Sequence, residues 1–287
     1  MSFLVAGITG NVGGATARHL LQAGHKVRGL VRNPQKAEKW AKQGVEILQG
    51  DFGDSADVAE ALQGVEGAYL MLPPFFTPSP GFPEAQTLVD SFVEALRKAP
   101  PLRLVALSSV GSEKTGGLGL ITSTHLLEQG LGDLPFPTAF VRAGSFFENY
   151  AYAVKAAASG WFDSFLAPPD RAFPMVATED IGTEVARLLT GSWSGKKIIE
   201  LGSRLSADDV AKALGGVLGQ PVQARAIPRD QWAAVLEAQG MPPAFIAPYL
   251  EMEDGLNSGW IDFGVAGTEP VAGTVTLAEF FARVKNS

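Results

Sequence analysis

No cysteine occurs in the 287 residues. Disulfides, thiolate metal sites and cysteine nucleophiles are therefore excluded together. Histidine is scarce: His19, His25 and His125 are the only three. Their scatter offers no metal-ligand spacing, so no metal is expected. Basic residues are outnumbered, with 23 Lys and Arg against 30 Asp and Glu and a net charge of -7. Without a cluster of Lys and Arg there is no footprint for a nucleic acid and no basic face for a membrane surface. No apolar run reaches the roughly 18 residues of a membrane-spanning helix. The start, Met1-Ser2-Phe3-Leu4-Val5-Ala6, lacks a basic segment and a cleavage site and runs straight into a glycine motif. A cytoplasmic protein, monomer or homodimer, is the expectation.

Hydrophobic residues make up 46% of the chain and charged ones 18%, which supports a sizeable core and argues against disorder. Short apolar runs alternate with amphipathic stretches through the first half. Strands are expected at 3–8, 26–31, 45–48, 67–72, 102–107 and 138–142, with helices at 15–23, 34–42, 55–62, 83–99 and 121–131. That alternation predicts an α/β fold, a Rossmann-type doubly wound parallel sheet. Residues 1–146 form the expected nucleotide-binding domain. Residues 147–287 are expected to form mainly a smaller C-terminal α/β substrate lobe, with about 172–201 returning to the main sheet. Within the lobe, Thr178 is expected to cap a helix over 179–189, Ser206 one ending at 218, and Thr276 the last one.

The turn Gly7-Ile8-Thr9-Gly10-Asn11-Val12-Gly13 lies between the first strand and the first helix. The first glycine permits the tight turn and the second lets backbone approach a pyrophosphate. The third lets helix pack on strand. Free N–H groups of Thr9, Gly10, Asn11, Val12 and Gly13 then meet the phosphates of a dinucleotide. An acid about 20 residues beyond the glycines would select the ribose 2′-hydroxyl of NADH. This chain has Arg32 at the strand end and Lys36 one helical turn on. A guanidinium grips a 2′-phosphate with paired donors, so NADPH is expected over NADH. Met71, Leu72 and Pro73 end the fourth strand, where the nicotinamide ribose is expected; a stiff loop without contact is the alternative.

The Gly-x-x-Gly-x-x-Gly spacing resembles the atypical short-chain dehydrogenase/reductases. Leu30-Val31-Arg32-Asn33-Pro34, Gly50-Asp51-Phe52-Gly53-Asp54, Leu107-Ser108-Ser109, Val141 to Tyr150 and Thr178-Glu179-Asp180-Ile181 resemble its NmrA-like branch. That branch includes NADPH-dependent quinone reductases and triphenylmethane-dye reductases. The resemblance implies that Asp51, helped by the Phe52 backbone, meets the adenine edge; an ordinary turn aspartate is the other reading.

The standard reductases of this superfamily use a tyrosine four residues before a lysine, which lowers the phenol pKa for proton exchange. The four tyrosines here, Tyr69, Tyr150, Tyr152 and Tyr249, are followed at that distance by Pro73, Val154, Ala156 and Glu253. The pair is missing. Some NmrA-like proteins carry Lys or His four residues before the equivalent of Glu128; here Thr124 stands there, with His125 next to it. Ser108, His125 and Asn149 remain as candidate polar groups for catalysis, Ser108 also for the nicotinamide ribose, each competing with a structural role. Quinone reduction tolerates the gap, because hydride addition yields a stabilised phenolate. Phe75, Phe76, Phe146, Phe147, Tyr150, Trp161 and Phe165 are candidate walls for a small flat aromatic substrate. Core packing accounts for some of them. The function expected is an NADPH-dependent reductase. A non-catalytic NADP(H)-binding redox sensor, or a reductase or isomerase of a specialised metabolite, are the alternatives.

Overall fold

The computed structural model describes residues 1–286. Its first half alternates β1 (Ser2–Val5), α1 (Asn11–Gln22), β2 (Lys26–Val31), α2 (Glu38–Ala41), β3 (Glu46–Gln49), α3 (Ser55–Leu62), β4 (Gly67–Leu70), α4 (Pro83–Lys98), β5 (Arg103–Ser109), α5 (Thr122–Leu131) and β6 (Thr138–Ala143). The second half holds β7 (Ser145–Phe146), α6 (Ala153–Ala156), β8 (Trp161–Ser164), β9 (Phe173–Val176), α7 (Thr178–Thr190), β10 (Lys196–Leu201), β11 (Ser203–Leu205), α8 (Ala207–Leu218), β12 (Gln223–Ala226), α9 (Trp232–Ala238), α10 (Pro243–Ser258), β13 (Glu269–Val271) and α11 (Leu277–Lys285).

The main sheet runs β3-β2-β1-β4-β5-β6-β10-β13, and each pairing in it is parallel. Its interior strands are apolar without alternation because helices cover both faces. In β1, Phe3 and Val5 enter the core shared with α1 and α7, whereas Leu4 enters the one shared with α3 and α4. A third core, built around Phe162, Met175, Leu214 and Phe281, belongs to the lobe. There β9 pairs with β7 and antiparallel with β11, while β12 pairs with β8.

Several boundaries differ from the sequence expectation, each for a local reason. The first strand stops at Val5 instead of 8, because Gly7 turns the chain with φ +61. The stretch 34–42 opens as a 3₁₀ turn, Pro34–Ala37, before α2. Thr178 is the first residue of α7, not its cap. The Glu148 carboxylate caps that helix instead, accepting from the Thr178 amide at 3.2 Å and its hydroxyl at 2.5 Å. Of the stretch 172–201, α7 and β10 join the main sheet, but β9 belongs to the small one. β13 adds a further main-sheet strand from near the C-terminus. Gly144 makes the crossing from sheet to lobe possible: a Cβ there would lie 2.6 Å from the Pro174 backbone.

Candidate functional site

Strand order reverses direction between β1 and β4, and a ligand crevice forms at the carboxyl ends of strands at such a switch point. The glycine turn occupies that position. Its Gly10 amide donates to Gly7 O at 2.8 Å, closing the turn on itself. A Cβ at Gly13 would lie 2.4 Å from Gly7 O and 2.5 Å from Ala6 O, so the helix touches the turn backbone directly. Gly10, the residue before α1, carries no side-chain cap, and the first turn of α1 has no acidic residue. Thr9, Gly10 and Asn11 are exposed, while Val12 and Gly13 are buried. The result is a 12-residue helix whose first amides are left for an anion.

Arg32 and Lys36 are exposed beside this end, and neither has a side-chain partner among the described residues. Arg28, inside β2, is by contrast engaged by Glu46 at 2.8 Å and by two carbonyls. Arg32 is thus a free fork just past the end of β2. Asp51 holds its own loop, its Oδ1 accepting from the Gly53 amide at 2.8 Å, while its amide donates to Asp57 at 2.9 Å. Phe52 packs edge-on against Phe92, 5.9 Å between centroids. The turn after β3 is accordingly satisfied internally. Met71 closes the opposite side, with its sulfur 2.8 Å from where a Cβ of Gly7 would stand. Leu72 is buried and Pro73 exposed.

Ser108 is buried and does not face the crevice freely: its hydroxyl donates to Glu128 at 2.5 Å. Glu128 is itself clamped by Arg142, with Nε and Nη2 at 2.9 and 2.7 Å. Arg142 Nη1 approaches Glu113 at 3.1 Å without an aligned hydrogen bond. Burial opposes the Arg142 charge, but Glu128, Glu113 and Glu200 outweigh it and hold its pKa above the ordinary range. This network ties β5, α5 and β6 together behind the crevice. Sequence reasoning marked Glu128 only as a family position and gave no role to Arg142 or Glu113. His125 Nδ1 donates to Ser112 O at 2.8 Å, and Thr124 Oγ1 is bonded to Ser112 Oγ at 2.8 Å. Ser112, Thr124 and His125 therefore brace the loop after β5. Asn149 is exposed, with its amide 3.5 Å from Ser145 Oγ.

The aromatic candidates separate. Phe75 meets Phe82, 6.3 Å between centroids, on the loop after β4. Phe146 is partly buried at the strand edge. Phe147 is packed into the lobe core against Phe280, and Tyr150 is buried there too, because both follow the chain down from the edge into the lobe. Trp161 lies on the outer face of the β8–β12 ribbon beneath the Arg225 guanidinium, 4.4 Å away. Alternation along β8 points it to solvent. In their place the structure supplies a row that joins the expected Phe76 and Phe165 through Phe245 and Tyr249, which the sequence reading missed. Phe76 stacks on Phe245 at 6.0 Å, Phe245 on Tyr249 at 5.5 Å, and Tyr249 meets Phe165 edge-on at 5.4 Å. It joins the loop after β4 to α10 of the lobe, across the mouth of the crevice. The signal was the spacing of Phe245, Tyr249 and Glu253, which a helix places on one face. A separate open groove of about 560 Å³, lined by Arg229, Leu250, Asp254 and Trp260, runs along the opposite face of α10, away from the strand ends.

The switch point, the uncapped glycine-walled helix and the free arginine define a Rossmann-type nucleotide-binding protein. More narrowly, the NmrA-like family model matches residues 2–254, and the chain belongs to that family. It is similar to quinone oxidoreductase 2 of Escherichia coli strain K12, 26% identical over 98% of both chains. It is also similar to the (4-alkanoyl-5-oxo-2,5-dihydrofuran-3-yl)methyl phosphate reductase of Streptomyces griseus, 30% identical over 84% of this chain and 82% of that one. Among solved structures, the NADPH-dependent quinone oxidoreductase QOR2 from Escherichia coli, complexed with NADPH, matches over 100% of both chains with a TM-score of 0.81 and 26% identity. No helix among the described residues is long and apolar enough to cross a membrane. No group of three or more potential metal ligands occurs among them.

Proposed function

We propose that this protein is an NADPH-dependent reductase that delivers a hydride to a quinone or a similar flat aromatic acceptor. The observation that carries the cofactor half is the pairing of an uncapped helix N-terminus with an unpartnered Arg32 one strand away. The amides at Gly10 to Gly13 hold the pyrophosphate, and Arg32 with Lys36 holds the 2′-phosphate. Asp51 and Phe52 bound the adenine, and Met71 to Pro73 the nicotinamide ribose. When bound, NADPH supplies a hydride from its nicotinamide. The chain's contribution is then proximity: the row Phe76, Phe245 and Tyr249 forms an apolar wall against which a flat acceptor stacks. The likeness to quinone oxidoreductase 2 over nearly the whole length supports the same reading. Its test is direct: purified protein, NADPH and a panel of quinones and dyes, followed at the nicotinamide absorbance band. Turnover is expected.

One observation favours a second reading, a redox sensor that binds NADP(H) without turnover. The position where some relatives carry Lys or His holds Thr124, and its hydroxyl is already engaged by Ser112. Tight NADPH binding with no oxidation across the panel would establish the sensor.

A further inference from the structure

Glu253 is the buried carboxyl that the cofactor site leaves unused. It lies on α10 with 7% exposure, and its Oε2 has no hydrogen-bond partner among the described residues. Tyr249 lies one helical turn earlier on the same face of α10, its hydroxyl within reach of that carboxyl. Tyr150 and Tyr152 approach from the segment after β7, and Asp254 from the same helix. Arg229 pairs with Asp254 through two bonds of 2.7 Å on the exposed side of α10, and no cation bonds to Glu253 itself among the described residues. Burial, with Asp254, raises the Glu253 pKa to about 7 against the opposing hydrogen bond from Tyr249. Burial first, then the Glu253 carboxyl, raises the Tyr249 pKa, so that phenol stays neutral and is a weak acid by itself.

The position of Tyr249 matters as much as its chemistry. Its ring is part of the wall formed with Phe76 and Phe245, while its hydroxyl reaches back to Glu253. One side chain thus connects the acceptor wall to a buried acid. Where the superfamily's usual arrangement sets a lysine four residues after the tyrosine, this chain sets a glutamate.

We propose that Tyr249 is the proton donor to the reduced acceptor and that Glu253 refills it. The proposal rests on the reductase reading above. Hydride from NADPH converts a quinone to a hydroquinone monoanion. The oxyanion takes the Tyr249 proton, forming an acceptor O–H bond as the phenol O–H breaks. The Glu253 O–H then breaks as the phenol O–H re-forms, and the resulting carboxylate regains a proton from water. The sum is quinone, NADPH and one proton giving hydroquinone and NADP⁺. A cationic triphenylmethane dye differs, because hydride alone neutralises it and no proton is needed.

The test compares wild type, Glu253→Gln and Tyr249→Phe on a quinone and on a cationic triphenylmethane dye across pH. Both variants should lower kcat on the quinone at least tenfold more than on the dye. Quinone turnover by the wild type should fall above about pH 7, where Glu253 loses its proton, and Glu253→Gln should abolish that fall. In the cofactor-free protein, an infrared carbonyl band of a protonated carboxyl should titrate near pH 7 and be absent from Glu253→Gln. Equal slowing of both acceptors, or a Glu253 already ionised at about pH 5, overturns the relay. A wild type that oxidises NADPH with neither acceptor overturns the reductase reading and the relay with it. That outcome is distinct from failure of the relay alone, in which both acceptors turn over.

Discussion

Glu128→Gln isolates the charge in the network behind the crevice. The variant keeps the shape and one acceptor oxygen, but removes the anion that Arg142 grips with two bonds of 2.9 and 2.7 Å. The Arg142 side chain is 4% exposed and that of Glu128 9%, so water cannot replace the lost partner. Breaking a buried pair by removing one member costs about 3–5 kcal/mol. Glu113, 3.1 Å from Nη1, stays to compensate part of the charge, which places the expected loss near the lower end, about 3 kcal/mol. For a chain of this size that is a fall in Tm of roughly 5 °C. Thermal unfolding followed by circular dichroism measures it, with Ser108→Ala as a control that removes only the hydroxyl. A double Glu128→Met, Arg142→Met variant should recover much of the loss, since no orphan charge remains. A melting shift below about 1 °C in the single variant would refute the argument that the pair is sealed from solvent.

Other outcomes follow from the same geometry. Arg32→Asp should weaken NADPH binding at least tenfold more than NADH binding in calorimetric titrations; equal losses would show that Arg32 does not meet the 2′-phosphate. Gly13→Ala should reduce both cofactor affinity and stability, the latter by about 1–3 kcal/mol, because its Cβ would overlap Gly7 O at 2.4 Å; an unchanged denaturant midpoint would contradict that contact. Glu253 holds its proton in the folded chain up to about pH 7, whereas an unfolded glutamate loses it near its ordinary pKa, about 4.3. Between these values the unfolded state binds fewer protons, so stability falls as pH rises, by about 4 kcal/mol in all. Glu253→Gln should therefore gain stability relative to wild type across that window, as read from urea midpoints, and a constant difference between the two proteins would rule out the raised pKa.

The parts of this fold that were legible are those with a local cause. Period-four and continuous apolar patterns located β2, β4, α4 and β5 closely, and Ser206 and Thr276 do cap α8 and α11 through reciprocal bonds with Asp209 and Glu279. The glycine spacing fixed where helix and strand meet, because only glycine tolerates a 2.4 Å approach of backbone. What stayed hidden depends on residues far apart in the chain. Glu148 capping α7 spans 30 positions, so Thr178 looked like the cap. β13 is short and polar at its first position, and its pairing with β10 is decided by the lobe's path. Of the aromatic row, Phe245 and Tyr249 were missed because Phe245 lies 169 positions from Phe76, whereas Phe147 and Tyr150, adjacent to the strand edge, turn inward to fill the lobe.

The central claim is that the glycine turn and Arg32 hold NADPH so that its hydride leaves for an acceptor. Stopped-flow mixing of the NADPH-loaded protein with a quinone tests it most directly. A first-order loss of nicotinamide absorbance that slows when the transferred hydrogen is deuterium is the predicted result. Persistent absorbance with every quinone and dye tried, while NADPH remains bound, would contradict it.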